Sequence, residues 1–190
     1  MSTFLIVWTL CFLGFGNIGT AQPRSIDTSE SVVTVEVKKA GIFSAFAHDH
    51  EVAAPIAGGT VNTASRTVEL RFKSGILQVR DRGISEKERA DIQDTMLGAE
   101  VLDAQRYPEI VFRSKSVEPG GQEFWKVHGD LTVHGQTRPV SADVRDNSGH
   151  YTGSLLLRQS EFGIKPIKIA GGTVRVKDEI RINFDIQLAR

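Results

Sequence analysis

Cysteine is almost absent from this sequence, and Cys11 is the only one. It lies in the apolar run of residues 4–15, FLIVWTLCFLGF, which is followed by a Gly-Thr-Ala site ending at Ala21. A short apolar run that ends in a small-x-small site is typical of a secretory signal peptide, and a membrane-spanning helix needs about 20 residues. We expect residues 1–21 to be removed, leaving one domain at 22–190 with neither a disulfide nor a cysteine nucleophile.

The chain also lacks an excess of charge of either sign. Lys and Arg together number 23, and Asp and Glu together also number 23, without a long run of one sign. The basic stripe that nucleic-acid binding requires is therefore missing, and we expect no nucleic-acid partner. With the leader, this composition predicts a periplasmic or secreted protein that is not an integral membrane protein once cleaved. An uncleaved anchor is the alternative, because no Lys or Arg precedes the apolar run.

Catalytic motifs are missing as well. The sequence contains no G-x-S-x-G elbow, no phosphate-binding Walker loop and no G-x-G-x-x-G fingerprint. Its carboxylates alternate with apolar residues, as on the solvated face of a sheet. We therefore expect no enzyme activity and no cofactor.

What the sequence does contain is alternation of apolar and polar residues with period two. The clearest segments are 67–73, 125–133 and 179–188. Strands with one apolar and one polar side are typical of antiparallel sheets in which one face is exposed to solvent. Gly58-Gly59, Pro119-Gly120-Gly121, Asp146-Asn147-Ser148-Gly149 and Gly171-Gly172 are the predicted turns between strands. The pattern predicts a mostly β domain, either a sandwich or an up-and-down barrel.

One segment departs from this pattern and predicts a helix inserted between strands. Ser85 and Glu88 have the spacing of a capping box, and residues 86–102 have helix-forming composition. Ile92 and Met96, with Leu97 or Ala99, form a narrow apolar stripe that we interpret as packing against the sheet. Tyr107-Pro108 ends any helix.

The run Phe46-Ala47-His48-Asp49-His50-Glu51 is the strongest candidate for chemistry. In an extended chain, His48 and His50 lie on one face with Phe46, and two imidazoles at this spacing can bind one metal ion. Three interpretations stay open: a structural polar cluster, the lining for a ligand head group, and a metal site. Two histidines alone leave a metal site short of ligands.

Three segments in order resemble the YceI-like family. They are Leu102-Asp103-x-x-x-Tyr107-Pro108-x-Ile110-x-Phe112-x-Ser114, then Gly129-Asp130-Leu131-Thr132-Val133-His134-Gly135-Gln136-Thr137-Arg138-Pro139-Val140, and Arg158-x-x-x-Phe162-Gly163-Ile164. The resemblance covers roughly residues 31–189 and implies an exported, lipocalin-like antiparallel β-barrel around an apolar tunnel. It implies a long polyisoprenoid ligand, such as a prenylated quinone or a prenyl phosphate, and no catalytic residues.

Together these inferences predict an exported protein that holds a long apolar chain in a barrel tunnel and leave the formation of a homodimer open. The alternative is a metal-binding protein or metal-dependent enzyme centred on His48 and His50. The predicted ligand-binding residues are Phe46, His48, His50, Leu70, Phe72, Phe112, Leu131, Phe162, Ile182 and Phe184, and no residue is predicted to be catalytic or to bind a metal ion.

Overall fold

A computed structural model describes residues 22–40, 49–169 and 174–190. Within these residues the chain forms short and long β-strands and one α-helix. In chain order they are β1 Arg24–Ser25, β2 Val32–Ala40, β3 His50–Ala53, β4 Ile56–Asn62, β5 Thr67–Lys73, β6 Gln78–Val79, α1 Glu86–Leu97, β7 Glu109–Gly121, β8 Phe124–Val133, β9 Gln136–Asp146, β10 His150–Arg158, β11 Lys168–Ile169 and β12 Val174–Gln187.

The strands form one antiparallel barrel. Pairing runs from β4 through β5, β7, β8, β9 and β10 to β12, each strand beside the next. β12 then pairs with β2, and the other edge of β2 pairs with β3. At the opposite end of the strand order, β1 pairs with β4. An isolated bridge between Ile26 and Leu188 adds to this closure. The predicted antiparallel β-barrel with one inserted helix is confirmed.

Period-two alternation divides the barrel into an apolar interior and a charged outer face. In β5, whose bounds agree with the predicted segment 67–73, Leu70 and Phe72 point inward. Glu69 and Arg71 lie outside, where Glu69 contacts Arg71 Nε at 3.6 Å and Arg113 Nε at 3.2 Å. Such exposed pairs contribute little to stability, so burial of the inner face carries the fold.

Two predicted turns are wrong, because their glycines lie inside strands. Gly58 and Gly59 belong to β4, where a Cβ on Gly59 would lie 2.8 Å from Ile26 Cδ1. The glycine therefore allows β1 and β4 to approach closely. Gly121 is still paired, with Phe124, so β7 extends through the predicted turn at 119–121. The turn at 146–149 is confirmed, since Asp146 Oδ1 accepts from the Gly149 N–H at 3.0 Å, whereas Gly171-Gly172 lies outside the described residues.

Helix α1 begins as predicted and ends earlier. The Ser85 hydroxyl accepts a hydrogen bond from the Glu88 N–H at 3.2 Å, which confirms the cap. The helix stops at Leu97 because Gly98, a poor helix former, caps it, and Leu102 instead turns into the core with 8% exposure. None of the residues of α1 is fully buried. Within the described part of the chain, no helix combines the length and apolarity needed to cross a bilayer.

The three segments that resemble the YceI-like family meet at one end of the barrel. The rings of Tyr107 and His134 lie 4.8 Å apart, edge to face, and His134 Nδ1 is 3.3 Å from the Phe162 carbonyl oxygen. His134 and Gly135 both have positive φ, as the two-residue hairpin between β8 and β9 requires. The hydroxyl of Ser74, which is 1% exposed, donates to the Tyr107 carbonyl at 2.6 Å. These contacts tie four separate parts of the chain together.

Candidate ligand-binding site

The barrel encloses an apolar cavity of about 750 Å³ that runs through its interior. At one end, called the helix end below, it is lined by His50 and by Ile92 and Met96 of α1. At the other, the turn end, it is lined by Arg66 of the turn between β4 and β5 and by Trp125 of β8. Inward side chains of the strands between these ends form the wall. A cavity of this size lies within the usual range for a small-molecule site.

Sequence reasoning placed most of its candidates in this wall. The residues that line the cavity include His50, Leu70, Phe72, Phe112, Leu131, Phe162, Ile182 and Phe184. These are the predicted ligand-binding residues that lie in the described part of the chain, and the structure brings them together around one space. The remaining two candidates, Phe46 and His48, lie outside the described residues.

Two inward-facing glycines give room to aromatic rings. A Cβ on Gly129 would lie 2.6 Å from Phe112 Cε2, and a Cβ on Gly153 would lie 2.6 Å from Phe184 Cζ. An edge of each ring therefore lies against the glycine of a neighbouring strand, in space that a Cβ would otherwise occupy. The sequence showed the aromatic residues but gave no sign of this pairing with glycine.

A polar pair stands at the helix end. His50 Nδ1 is 2.6 Å from Asp81 Oδ2, and Asp81 Oδ1 accepts from the Glu51 N–H at 2.7 Å. The Asp81 backbone carbonyl accepts from Arg89 Nη2 at 3.0 Å, so the first turn of α1 is bound to the same residue. The side chain of Asp81 is 1% exposed. Sequence reasoning missed Asp81, because a single acidic residue in a charged loop carries no signal of burial.

Asp49 directly precedes β3 and points away from the cavity, as expected of a neighbour of His50 in an extended chain. It is exposed, accepts from the Lys39 N–H at 3.0 Å and pairs with Lys38 Nζ at 3.3 Å. These contacts hold the pKa of the Asp49 carboxyl below its ordinary value, the backbone hydrogen bond from Lys39 being the largest cause. Asp49 is therefore anchored outside, and His50 alone of this pair lines the cavity.

Only part of the hypothetical metal site lies among the described residues. Among the described residues, no three His, Cys, Asp or Glu side chains come together as metal ligands. Asp81 already contacts Nδ1 of His50, so Nε2 is the one nitrogen of this imidazole that a metal ion could reach. The second imidazole of the metal hypothesis, His48, lies outside the described residues.

The turn end carries a few polar groups of its own. The Arg66 guanidinium lies 5.5 Å from the ring centre of Trp125, within the range of a cation–π contact. Tyr151 also lines the cavity, and its burial, followed by the nearby charge of Asp146, raises the pKa of its phenol. Otherwise the wall between the two ends is almost entirely aliphatic and aromatic.

Comparison with known proteins relates this barrel to a family. The model of the YceI-like domain matches residues 25–188. A "UPF0312 protein" of Pseudomonas savastanoi pv. phaseolicola is 33% identical over 96 residues, which are 45% of this chain and 44% of the relative's length. A second UPF0312 protein, from Vibrio cholerae, is 27% identical over 120 residues, or 57% of this chain and 61% of its own. The matched parts thus span less than two thirds of these relatives.

Solved structures agree with the fold. BcnA of Burkholderia cenocepacia superposes with a TM-score of 0.66 at 21% identity, over 87% of this chain and 99% of that one. The YceI protein of Campylobacter jejuni gives a TM-score of 0.51 at 15% identity, over 80% and 85% of the two chains. At these identities the likeness concerns the fold alone. The family match, which covers most of the described residues, shows that this chain belongs to the YceI-like family.

Proposed function

We propose that this protein binds one long, chain-like apolar molecule of the polyisoprenoid or prenylated quinone class inside its barrel. The observation that carries the proposal is the continuous apolar cavity of about 750 Å³ between the helix end and the turn end. The YceI-like family membership supports the same class of ligand. A protein that only needed a stable core would fill this space with side chains, because interiors are otherwise close-packed.

The volume sets the size of the ligand. An apolar cavity of about 150 Å³ holds one benzene ring, so a space about five times larger accommodates on the order of 30 carbon atoms. Each buried Å² of apolar surface contributes about 25 cal/mol. A chain of several isoprene units can therefore bind tightly through burial alone, and affinity should increase with each added unit until the cavity is full.

The proposal is for a binding protein and not for an enzyme. The lining groups that could act as a nucleophile or base lie at the two ends of the cavity, and the apolar contacts between these ends stabilise a bound ground state without favouring a transition state. The relatives of this chain carry family names that state no reaction. Retention and release of an apolar cargo need no more than a shaped and water-excluding interior.

Organic extraction of protein purified without detergent, followed by mass spectrometry, tests the proposal directly. We expect a stoichiometric apolar lipid. Delipidated protein should then bind a graded series of isoprenoid alcohols with affinity that rises steeply with chain length. If no lipid is recovered and affinity does not depend on chain length, the interior is a solid core in solution and the proposed function is wrong.

A further inference from the structure

Asp81 is a buried carboxylate beside the helix end of the cavity. Both of its oxygens are occupied, Oδ1 by the Glu51 N–H and Oδ2 by His50 Nδ1. Burying a carboxylate costs free energy even when it is hydrogen-bonded, and apolar side chains of similar volume often hold the same elements together equally well. Packing alone therefore leaves the presence of this pair unexplained.

The carboxylate fixes the imidazole of His50. Because Asp81 accepts at Nδ1, the ring holds a proton there and its orientation is set. Nε2 has no hydrogen-bond partner among the described residues, and His50 lines the cavity. One oriented imidazole nitrogen is thus left for a bound molecule at the helix end.

The charged groups around Nε2 determine which class of ligand head group can bind there. Lys39 and Arg175 line the same end of the cavity, and so do Glu88 and Asp91 of α1. With Asp81, and with Arg89 bonded to its carbonyl, the described part of the chain places three positive and three negative groups here. These charges cancel, so they do not attract an anion such as a phosphate, and this end suits an uncharged hydroxyl that can donate to Nε2.

We propose that His50, positioned by Asp81, accepts a hydrogen bond at Nε2 from the uncharged hydroxyl of an amphiphile, and that the ligand lies in one direction with its head at the helix end and its tail at the turn end. This inference rests on the proposed function and adds to it the class of head group and the direction of binding. Asp81 acts through His50 and is a positioning residue.

The two ends are far enough apart for the direction to be measured. Residues 50–62 run along the barrel from His50 to the turn end, about 40 Å of extended chain and about 30 Å along the axis after strand tilt. Trp125 lines the cavity at the turn end, and Trp8 is the only other tryptophan in the sequence. Trp8 belongs to the predicted leader, so fluorescence of the processed protein reports on the turn end alone, and a Trp8→Phe substitution gives the same result if the leader is retained.

The experiment uses isoprenoid alcohols of about 30 carbon atoms that carry bromine at one end. Bromine quenches tryptophan fluorescence only at contact. We expect quenching of Trp125 by the alcohol brominated at its tail and none by the alcohol brominated beside the hydroxyl. Equal quenching by both, or quenching by the head-labelled probe alone, would overturn the proposed direction. If neither these alcohols nor the plain hydrocarbon binds, it is the proposed function that fails.

Variants test the head-group contact. The alcohol should bind about threefold to tenfold more tightly than the hydrocarbon of equal length, as one hydrogen bond predicts. The double variant His50→Leu, Asp81→Asn, which leaves no unpaired charge, should remove this preference and still bind the hydrocarbon. His128→Ala is the matched control, because His128 lies on the outer face beside Ser141 and should change neither affinity.

Asp81→Asn alone tests positioning. An amide donates to Nδ1, so nuclear magnetic resonance of the imidazole nitrogens should show the proton moved to Nε2 while the protein remains folded. An unchanged tautomer would contradict the role of Asp81. An alcohol preference that survives the double variant, or a phosphate ester that binds more tightly than the alcohol, would overturn the proposed head-group site.

Discussion

Gly135 illustrates how a single residue is fixed by both backbone and packing. Its φ is +70°, and a Cβ would lie 2.4 Å from Tyr107 Cε1. We expect Gly135→Ala to lower the free energy of unfolding by about 2–4 kcal/mol, because positive φ alone costs a residue with a side chain about 1–2 kcal/mol and the clash adds to this. Urea unfolding followed by circular dichroism measures the change.

Gly149→Ala separates the two contributions. Gly149 also has a positive φ, +90°, but nothing lies within 4 Å of its added Cβ, so only the backbone cost should appear. The clash at Gly135 should shrink in a Tyr107→Leu background, as a double-mutant cycle would show. Equal losses for the two alanine variants, with no coupling to Tyr107, would refute this explanation.

Tyr151 gives a prediction about pH. Its pKa is raised above the usual 10.0 because burial, and secondarily Asp146, disfavours the phenolate. The neutral phenol therefore stabilises the folded state below pH 10, and this contribution is lost as the pH rises through the raised pKa. Unfolding measured across alkaline pH should show a shallower loss of stability in Tyr151→Phe than in the parent protein. Identical slopes would contradict the raised pKa.

At the scale of elements, α1 is held to the barrel by polar contacts as well as by Ile92, Met96 and Leu97, which pack against the core as the apolar stripe predicted. Gln93 Oε1 accepts from the Val79 N–H and Gln93 Nε2 donates to the Leu77 carbonyl, both at 2.8 Å. Two hydrogen bonds of about 1 kcal/mol each imply that Gln93→Ala speeds hydrogen exchange of the helix amides about 5- to 30-fold. Lys87→Ala, on the exposed side, should change exchange by about twofold at most. Similar rates in both variants would contradict this attachment.

The elements that sequence reasoning predicted best are those whose pattern is local. β5, β8 and β12 alternate strictly; β5 and β8 lie within one residue of their predicted bounds, whereas β12 begins at Val174, before the predicted segment 179–188. Gly59 was wrongly predicted to lie in a turn, because its lack of a side chain makes room for Ile26, which is distant along the chain. Asp81 was missed for a similar reason. Its burial depends on a contact with His50, which is 31 residues away, and a contact between residues so far apart leaves no periodic pattern in the sequence.

At the scale of the whole molecule, the length of the lumen should select the length of the ligand. Phe184→Trp and Phe72→Trp enlarge side chains of the wall, and we expect each to weaken binding of the longest isoprenoid about tenfold and that of short ones little. Arg71→Ala is the control, because Arg71 is exposed on the outer face. An equal loss for every chain length would mean that the tryptophans distort the fold instead of shortening the cavity.

Export is the second prediction at this scale. The apolar run and the small residues that end at Ala21 should direct cleavage there, so amino-terminal sequencing of the periplasmic or secreted protein should begin at Gln22. Recovery of an intact Met1 on a membrane-bound product would contradict cleavage.

The pairing of β12 with β2 has a consequence for how the protein comes into being. It joins the beginning and the end of the barrel, with Val33 opposite Phe184 and Ser31 hydrogen-bonded to Gln187 across 156 residues. Contacts of such high contact order form late, because the whole intervening loop must first be ordered. A chain delivered from its amino terminus would remain an open, curled sheet until its last strand arrived. During that interval the lumen is a groove, and a long apolar molecule could be enclosed by closure of the barrel instead of threading into it.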